Sequence, residues 1–134
     1  MDDASQAANK HLRIGGQSKI LMYNRESDDA TLPSLSPQGI AASKALPADG
    51  KFHCFEYHLG TDGTIETWLD SAAIPALTIK PGTANPNADQ FQRSVYKPKV
   101  TSINFGWESY GGDSNTMWYD DVAIASTRVG CTAA

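Results

Sequence analysis

The chain has 134 residues, enough for one domain, and its formal net charge is −4. Hydrophobic residues make up 40% and charged residues 19% of the sequence, which is typical of a soluble globular protein and excludes a disordered or membrane-spanning chain. The 11 basic residues are dispersed, which argues against a nucleic-acid partner because phosphate binding depends on clustered Lys and Arg.

The first part of the chain predicts a leader followed by two strands. Residues 1–9 are polar and acidic and have no apolar signal-peptide region, so we expect a disordered leader. Residues 11–14 alternate polar and apolar side chains, and the Gly15-Gly16 pair is expected to break or bulge this strand. Residues 19–25 carry large side chains on both faces, so we expect both faces to be covered.

The middle of the chain predicts a loop and a hairpin. Residues 26–47 are rich in Asp, Ser, Pro and Gly, which indicates a long surface loop, and long loops in compact domains are often functional. Residues 51–59 and 65–69 alternate as strands, and the Thr-Asp-Gly-Thr turn at 61–64 joins them.

The C-terminal part predicts a second hairpin. Residues 101–110 and 116–125 alternate as strands on either side of a Gly-Gly-Asp turn. No segment shows a sustained helical period, so the sequence predicts an all-β fold. Antiparallel strands joined by hairpins and long loops favour a sandwich or a jelly roll.

The two cysteines leave two interpretations open. Cys54 and Cys131 could form one disulfide bond in an oxidising compartment, and two buried free thiols would give the same sequence pattern.

Three stretches together resemble a known family: KHLRIGGQ with LMYNRESDD, FHCFEYHLGTDGTIETWLD, and INFGWESYGGDSNTMWYDDVAIASTRVGC. They resemble fungal cellulose-induced secreted proteins, whose jelly-roll domain is related to glucuronan and alginate lyases and has relatives in actinobacteria. The resemblance implies a concanavalin-A-like β-jelly roll over residues 10–131, lacking its N-terminal strands, with 132–134 as a tail. It also implies a secreted, extracellular location and, in many members, an attached cellulose-binding module.

The resemblance further implies a polysaccharide lyase that cleaves a uronic-acid polymer such as glucuronan during plant or fungal cell-wall degradation. A uronan lyase needs a group that neutralises the substrate carboxylate, a base and an acid. Arg13 and Gln17 match the family's His-x-Arg-x-x-x-Gln motif as the neutralising groups, with His11 as the base. Tyr110 is the expected acid, because its same-face neighbours on the predicted strand are small or polar. The alternative is a surface His, a salt-bridged Arg and a tyrosine at a sheet edge.

Other residues are further candidates for the same groove. Trp68, Trp107 and Trp118 are expected in the core, with stacking on sugar rings as the alternative. His58 shares a predicted strand face with Glu56 and is an alternative base. The substrate-binding candidates are Tyr23, Arg25, His58 and Glu108.

The resemblance also implies a structural calcium ion. Asp121, in the Asp120-Asp121 pair, is its expected ligand, since oxygen ligands suit this hard cation. The other ligands are expected outside this sequence, and two acids at the end of a strand could otherwise be merely solvated.

Two other functions compete with the lyase. One is a non-catalytic carbohydrate-binding module that uses the same groove. The other is a glycoside hydrolase on the same fold, since Glu56, Glu66 and Glu108 occupy alternating strand positions and paired carboxylates carry out that reaction. In each case the expected partner is a polysaccharide, with no nucleic acid or membrane, and the protein is expected to be a monomer.

Overall fold

The computed structural model describes residues 1–7 and 10–131. Its regular elements are mostly short strands: β1 (Asp2–Asp3), β2 (Leu12–Gln17), β3 (Ile20–Arg25), β4 (Ala30–Leu32), β5 (Phe55–Leu59), β6 (Ile65–Leu69), β7 (Ala72–Ala73) and β8 (Val100–Ser102). Helical structure is limited to α1 (Pro37–Ala42), a 3₁₀ turn (Pro75–Leu77) and α2 (Asp89–Gln92). Among the described residues, no helix has the length and apolar character needed to cross a bilayer.

The strands form antiparallel sheets. Two sheets have three strands each, in the orders β2-β3-β4 and β5-β6-β7, and β1 pairs with β8. Buried side chains from both three-stranded sheets belong to one hydrophobic cluster, so the sheets form the two layers of a sandwich. The prediction of an all-β antiparallel fold is confirmed.

The core contains one polar connection between the two layers. The hydroxyl groups of Tyr23 on β3 and Thr67 on β6 are 2.5 Å apart, and Thr67 donates in turn to the carbonyl of Leu77 at 3.1 Å. An unpaired buried hydroxyl would be costly, so this chain of hydrogen bonds allows a tyrosine to occupy the interior. The apolar side chains of the core are Leu12, Leu21, Ala30, Leu32, Ile65, Leu69, Ile74, Leu77, Ile79, Ala88 and Phe91.

The β2–β3 hairpin is continuous, in contrast to the expected break at Gly15-Gly16. Both glycines pair in register with β3. Ser18 and Lys19 form a two-residue turn with φ values of 53° and 66°, as a type I′ turn requires. Gly16 makes room for Leu46, whose Cδ1 lies 2.5 Å from where a Cβ at position 16 would be.

The expected loop at residues 26–47 contains regular structure. β4 pairs with β3 and is buried along its length. Ser36 caps α1 by accepting a hydrogen bond from the Gly39 N–H at 3.0 Å, and Pro37 occupies the first turn, where its missing N–H costs nothing. The Ser-Pro signal, which suggested a loop, marks a helix start here.

The expected disordered leader is wrong for residues 1–7. Asp3 is only 4% exposed, and its carboxylate accepts hydrogen bonds from the Tyr96 hydroxyl and from the backbone N–H groups of Ser5 (3.0 Å) and Lys99 (2.8 Å). Polar contacts hold this segment, so hydrophobic alternation gives no signal for it. Residues 8 and 9 and the expected tail at 132–134 lie outside the described residues.

The expected C-terminal hairpin is also absent from the described residues. Residues 100–102 pair with β1, but no paired strand is formed between residues 103 and 131. The alternation there is typical of a strand, yet a strand needs a neighbouring backbone for its hydrogen bonds. Trp107 and Trp118 are 48% and 74% exposed, so the prediction that they lie in the core is wrong.

A disulfide bond joins Cys54, just before β5, to Cys131 across 77 residues of sequence. The structure therefore confirms the disulfide interpretation of the two cysteines. Near it, the Arg128 guanidinium lies 4.2 Å from the ring centre of Trp68 and 2.9 Å from the Glu56 carboxylate. These contacts attach the end of the chain to the β5–β6 layer.

Candidate functional site

Polar residues of the predicted site lie on the hairpin face opposite the core. Leu12 faces inward and is fully buried, so its neighbours His11 and Arg13 point to the other side, as strand alternation requires. Both side chains are partly exposed, His11 to 40% and Arg13 to 34%. The prediction that they share one face agrees with this register.

Glu26 connects His11 and Arg13. It directly follows β3 and lies opposite His11, and its backbone N–H donates to the His11 carbonyl at 3.0 Å. One carboxylate oxygen accepts from the His11 backbone N–H at 2.9 Å and lies 2.8 Å from Nδ1 of its ring. The other accepts from Arg13 Nη2 at 3.1 Å.

Glu108 and Tyr110 reach this cluster from the C-terminal stretch. The Glu108 carboxylate lies 3.0 Å from Arg13 Nε. Desolvation, followed by a hydrogen bond and charge repulsion from Glu108, raises the pKa of Tyr110, and the nearby Arg13 opposes the rise. A phenol is protonated at neutral pH and has a proton to donate, and the raised pKa makes Tyr110 a weaker acid than an ordinary tyrosine.

The cluster contains more negative than positive groups. Asp2 lies 3.0 Å from His11 Nε2, so three carboxylates, those of Asp2, Glu26 and Glu108, surround one guanidinium and one imidazole. Arg13 is therefore already paired on both sides. An anionic substrate would have to replace one of its partners, and Glu108, with a side chain 56% exposed, is freer to move than Glu26 at 20%.

Gln17 lies apart from this cluster. It is exposed at the far end of β2 and shares a strand face with Arg13 because β2 is continuous. Four residues of strand separate the two positions by roughly 13 Å. Gln17 would therefore meet a different part of a long polymer.

Tyr23 and Arg25, two of the predicted substrate-binding residues, are not accessible. Tyr23 is fully buried and Arg25 is 3% exposed. The Arg25 guanidinium lies over the rings of Phe91 and Tyr96, at 5.1 and 4.9 Å from their centres, and pairs with Asp28 at 2.6 Å. Both faces of β3 are covered, as predicted, and this coverage removes both residues from the candidate site.

His58 lies on the other three-stranded sheet. It pairs across the strands with Glu66, at 3.3 Å from Nδ1. Glu56 binds Arg128 at 2.9 Å and the Gly130 N–H at 2.8 Å. Among the described contacts, none connects His58 to the cluster around Arg13.

Asp121 does not complete a calcium site with the described residues. It is exposed, and its backbone N–H donates to the Asp120 carboxylate at 2.9 Å. The three grouped side chains that could ligate a metal in the described part of the chain are those of Cys54, Glu56 and Cys131, and both sulfurs form the disulfide. Calcium takes about six to eight oxygen ligands, so the residues present do not fit it.

Sequence reasoning missed Glu26 and Asp2. The hairpin register could have identified Glu26. A two-residue turn at Ser18 and Lys19 pairs Gln17 with Ile20, and the same register extended along both strands places His11 opposite Glu26. Asp2 had no such signal, since its position depends on the pairing of β1 with β8.

Comparisons with known proteins agree with this architecture. The family model described as the Cip1-like core domain of polysaccharide lyase-like proteins matches residues 1–127. A solved structure named cellulose-induced protein Cip1 is similar, with 63% sequence identity and a TM-score of 0.92. The alignment covers 98% of this chain and 60% of that one, so the chain spans less than two thirds of that protein.

No curated protein matches the chain. The high structural similarity to Cip1 supports the predicted jelly-roll type of sandwich, and the family match includes both strands of the hairpin that carries His11 and Arg13. The chain belongs to the Cip1-like core-domain family of polysaccharide lyase-like proteins.

Proposed function

We propose that this protein cleaves a uronic-acid polysaccharide, such as glucuronan, by β-elimination. The observation that carries the proposal is the cluster in which Glu26 contacts both His11 and the partly exposed Arg13 on the same face of the hairpin. Family membership supports action on a polysaccharide.

Elimination places definite demands on these residues. A base removes the proton on the carbon next to the carboxylate, the electron pair forms a carbon–carbon double bond, and the glycosidic oxygen leaves and takes a proton. Arg13 would stabilise the negative charge that develops on the carboxylate. His11 would accept the proton and Tyr110 would supply the one taken by the leaving oxygen.

The base role requires a free lone pair on His11. Its Nδ1 is engaged by Glu26 at 2.8 Å, which leaves Nε2 as the atom that accepts the proton. Asp2 lies at that nitrogen at 3.0 Å, and a substrate would have to displace it. Asp2 is the more exposed partner, at 46% against 20% for Glu26.

The hydrolase alternative has less support. Each of its three candidate carboxylates is engaged by a cationic or imidazole side chain: Glu56 by Arg128, Glu66 by His58 and Glu108 by Arg13. A non-catalytic binding module would use the same exposed face. The assay below distinguishes this function from that of a lyase.

The assay follows the new double bond, which absorbs near about 235 nm in an unsaturated uronate product. Incubation with a panel of uronans should give rising absorbance together with shorter chains. Shorter chains without absorbance would indicate hydrolysis. Binding without either change would indicate a carbohydrate-binding module.

We further propose that the protein acts outside the cell as a monomer. The Cys54–Cys131 disulfide supports this location, since such bonds persist mainly in oxidising compartments. Size-exclusion chromatography coupled to light scattering tests the monomer, and a dimer mass would contradict it.

Calcium binding at Asp121 stays a prediction. If ligands beyond the described residues complete the site, calcium should raise the melting temperature of the protein, because a ligand that binds only the native state stabilises it. Asp121→Ala should remove that increase. Equal melting temperatures with calcium and with a chelator would contradict the prediction.

A further inference from the structure

The Glu26 carboxylate contacts both of the proposed catalytic groups on the hairpin face, His11 and Arg13. Its carboxylate accepts from the backbone N–H of His11 at 2.9 Å, contacts Nδ1 of the same residue at 2.8 Å and accepts from Arg13 at 3.1 Å. Its side chain is 20% exposed, so these contacts are partly shielded from water.

We propose that Glu26 is a positioning residue that fixes His11 in the Nδ1–H tautomer and orients Arg13 on the same face. The proposal rests on the lyase function proposed above. An ionised carboxylate only accepts hydrogen bonds, so the contact with Glu26 favours a proton on Nδ1. The lone pair of the neutral ring is then on Nε2, on the side away from Glu26.

Three charged groups lie around His11, and one of them, Asp2, competes with this assignment. Asp2 from β1 faces Nε2, Glu26 faces Nδ1, and Arg13 lies two residues along the same strand. Burial acts to raise the pKa of Glu26, but hydrogen bonds from His11 and the charge of Arg13 outweigh it and lower the pKa. Glu26 therefore stays ionised at neutral pH.

Asp2 is the competing carboxylate, because it could instead hold a proton on Nε2. Three observations favour Glu26: its contact with the ring is shorter, its side chain is less exposed, and it also binds the His11 backbone. The Asp2 carboxylate also accepts a hydrogen bond from the Ser102 hydroxyl. A carboxylate that orients a catalytic histidine through Nδ1 is a known way to set its tautomer.

The direct test is nitrogen-15 NMR of the His11 ring, which reports the tautomer without any substrate. The chain has three histidines, and His53→Gln and His58→Gln assign the other two signals. In the neutral ring, wild-type protein should show a protonated Nδ1, and Glu26→Gln should lose this preference. A neutral wild-type His11 with its proton on Nε2 would overturn the proposal even if the variant failed to fold.

Kinetics give the second readout. Glu26→Gln should lower kcat by on the order of 10²- to 10⁴-fold, as for other carboxylates that orient a catalytic histidine, with a smaller change in KM. Glu26→Asp should restore part of the rate. Asp49→Asn is the matched control, because it removes a carboxylate 2.9 Å from His53 outside the cluster, and its activity should equal that of the wild type.

The two readouts separate the proposals. An Nδ1–H tautomer that depends on Glu26, in a protein with no elimination activity, would support the positioning role and contradict the lyase. Elimination activity with an unchanged tautomer in Glu26→Gln would contradict the positioning role alone.

Discussion

Arg13 shows at the scale of one residue how substrate binding would compete with internal ion pairs. Its guanidinium already contacts Glu26 at 3.1 Å and Glu108 at 3.0 Å. A uronate carboxylate would be a third anion at the same cation. Because Glu26 is also held by His11 and Glu108 is mostly exposed, the substrate would replace Glu108.

Glu108→Gln should therefore lower the KM for a uronan. Exposed ion pairs contribute about 0.2–1 kcal/mol, which corresponds to a decrease of about 1.5- to 5-fold. Initial rates over a range of substrate concentrations give the value. Asp113→Asn removes one exposed negative charge in the nearby turn and should leave KM unchanged, whereas an increased KM for Glu108→Gln would show that Glu108 itself binds the sugar.

Arg13→Ala and Tyr110→Phe should act mainly on the chemical step. Each removes a group that meets charge developing in the transition state, so kcat should fall by about a hundred-fold or more, while KM changes less. Arg93→Ala is the control for Arg13→Ala, since Arg93 is exposed and pairs only with Asp89 at 3.6 Å among the described residues. Wild-type elimination rates in both site variants would contradict the assignment.

At the scale of elements, the β2–β3 hairpin brings the site together. Its two-residue turn sets a register in which Arg13 pairs with Asn24 and His11 lies opposite Glu26. A shift of one residue would move these side chains to the core face. The buried contact between Tyr23 and Thr67 ties the hairpin to the opposite sheet and resists such a shift.

The β1 segment depends on one buried carboxylate. Burial acts to raise the pKa of Asp3, but hydrogen bonds from Tyr96, Lys99 and Ser5 outweigh it and lower the pKa from 3.8 to about 2. A carboxyl group whose pKa is lower in the folded than in the unfolded state stabilises the protein at pH values above its unfolded-state pKa. This stabilisation is lost as the pH falls toward about 2.

Asp3→Asn should lower the free energy of unfolding at pH 7 by about 2 kcal/mol. The difference from wild type should shrink as the pH falls from about 4 toward 2, because both proteins are then neutral at this position. Urea unfolding at several pH values measures it, with Asp113→Asn as the exposed control. A difference that does not depend on pH would contradict the assigned cause.

How far the sequence predicted the fold depended on where each strand finds its partner. Residues 51–69 contain both strands of a local hairpin, and alternation with a turn signal was enough. In residues 11–25 the two strands were predicted from alternation, but the turn at Ser18 and Lys19 was not, because the Gly15-Gly16 pair suggested a break instead. Residues 103–125 alternate equally well, but no paired strand forms there in the described chain. Alternation reports which side chains prefer burial, and it does not supply the partner strand.

The same limit applied to the site. His11 and Arg13 were identified through the resemblance to the family motif, and their spacing of two residues predicted that they share a strand face. Tyr23 and Arg25 alternate in the same way, but β3 is covered on both faces, so its polar residues are internal. Glu26 and Asp2 reach His11 only through pairing across strands, which residue spacing along the chain does not reveal.

At the scale of the whole molecule, the site combines residues on a paired hairpin with residues from a stretch that has no paired strand. His11, Arg13 and Glu26 lie on a paired hairpin, whereas Glu108 and Tyr110 lie in the described stretch that has no paired strand. Tyr110 is 82% exposed. Catalytic groups are most precise on rigid elements, so the acid is the less firmly placed member of the site.

Elimination by this protein should depend on the carboxylate of the substrate. The most direct measurement compares absorbance near about 235 nm for glucuronan and for the same polymer after reduction of its carboxyl groups. Absorbance should rise with glucuronan and should not rise with the reduced polymer, since only a carboxylate acidifies the proton that is removed. Cleavage of both polymers at equal rates, without absorbance, would contradict the lyase function.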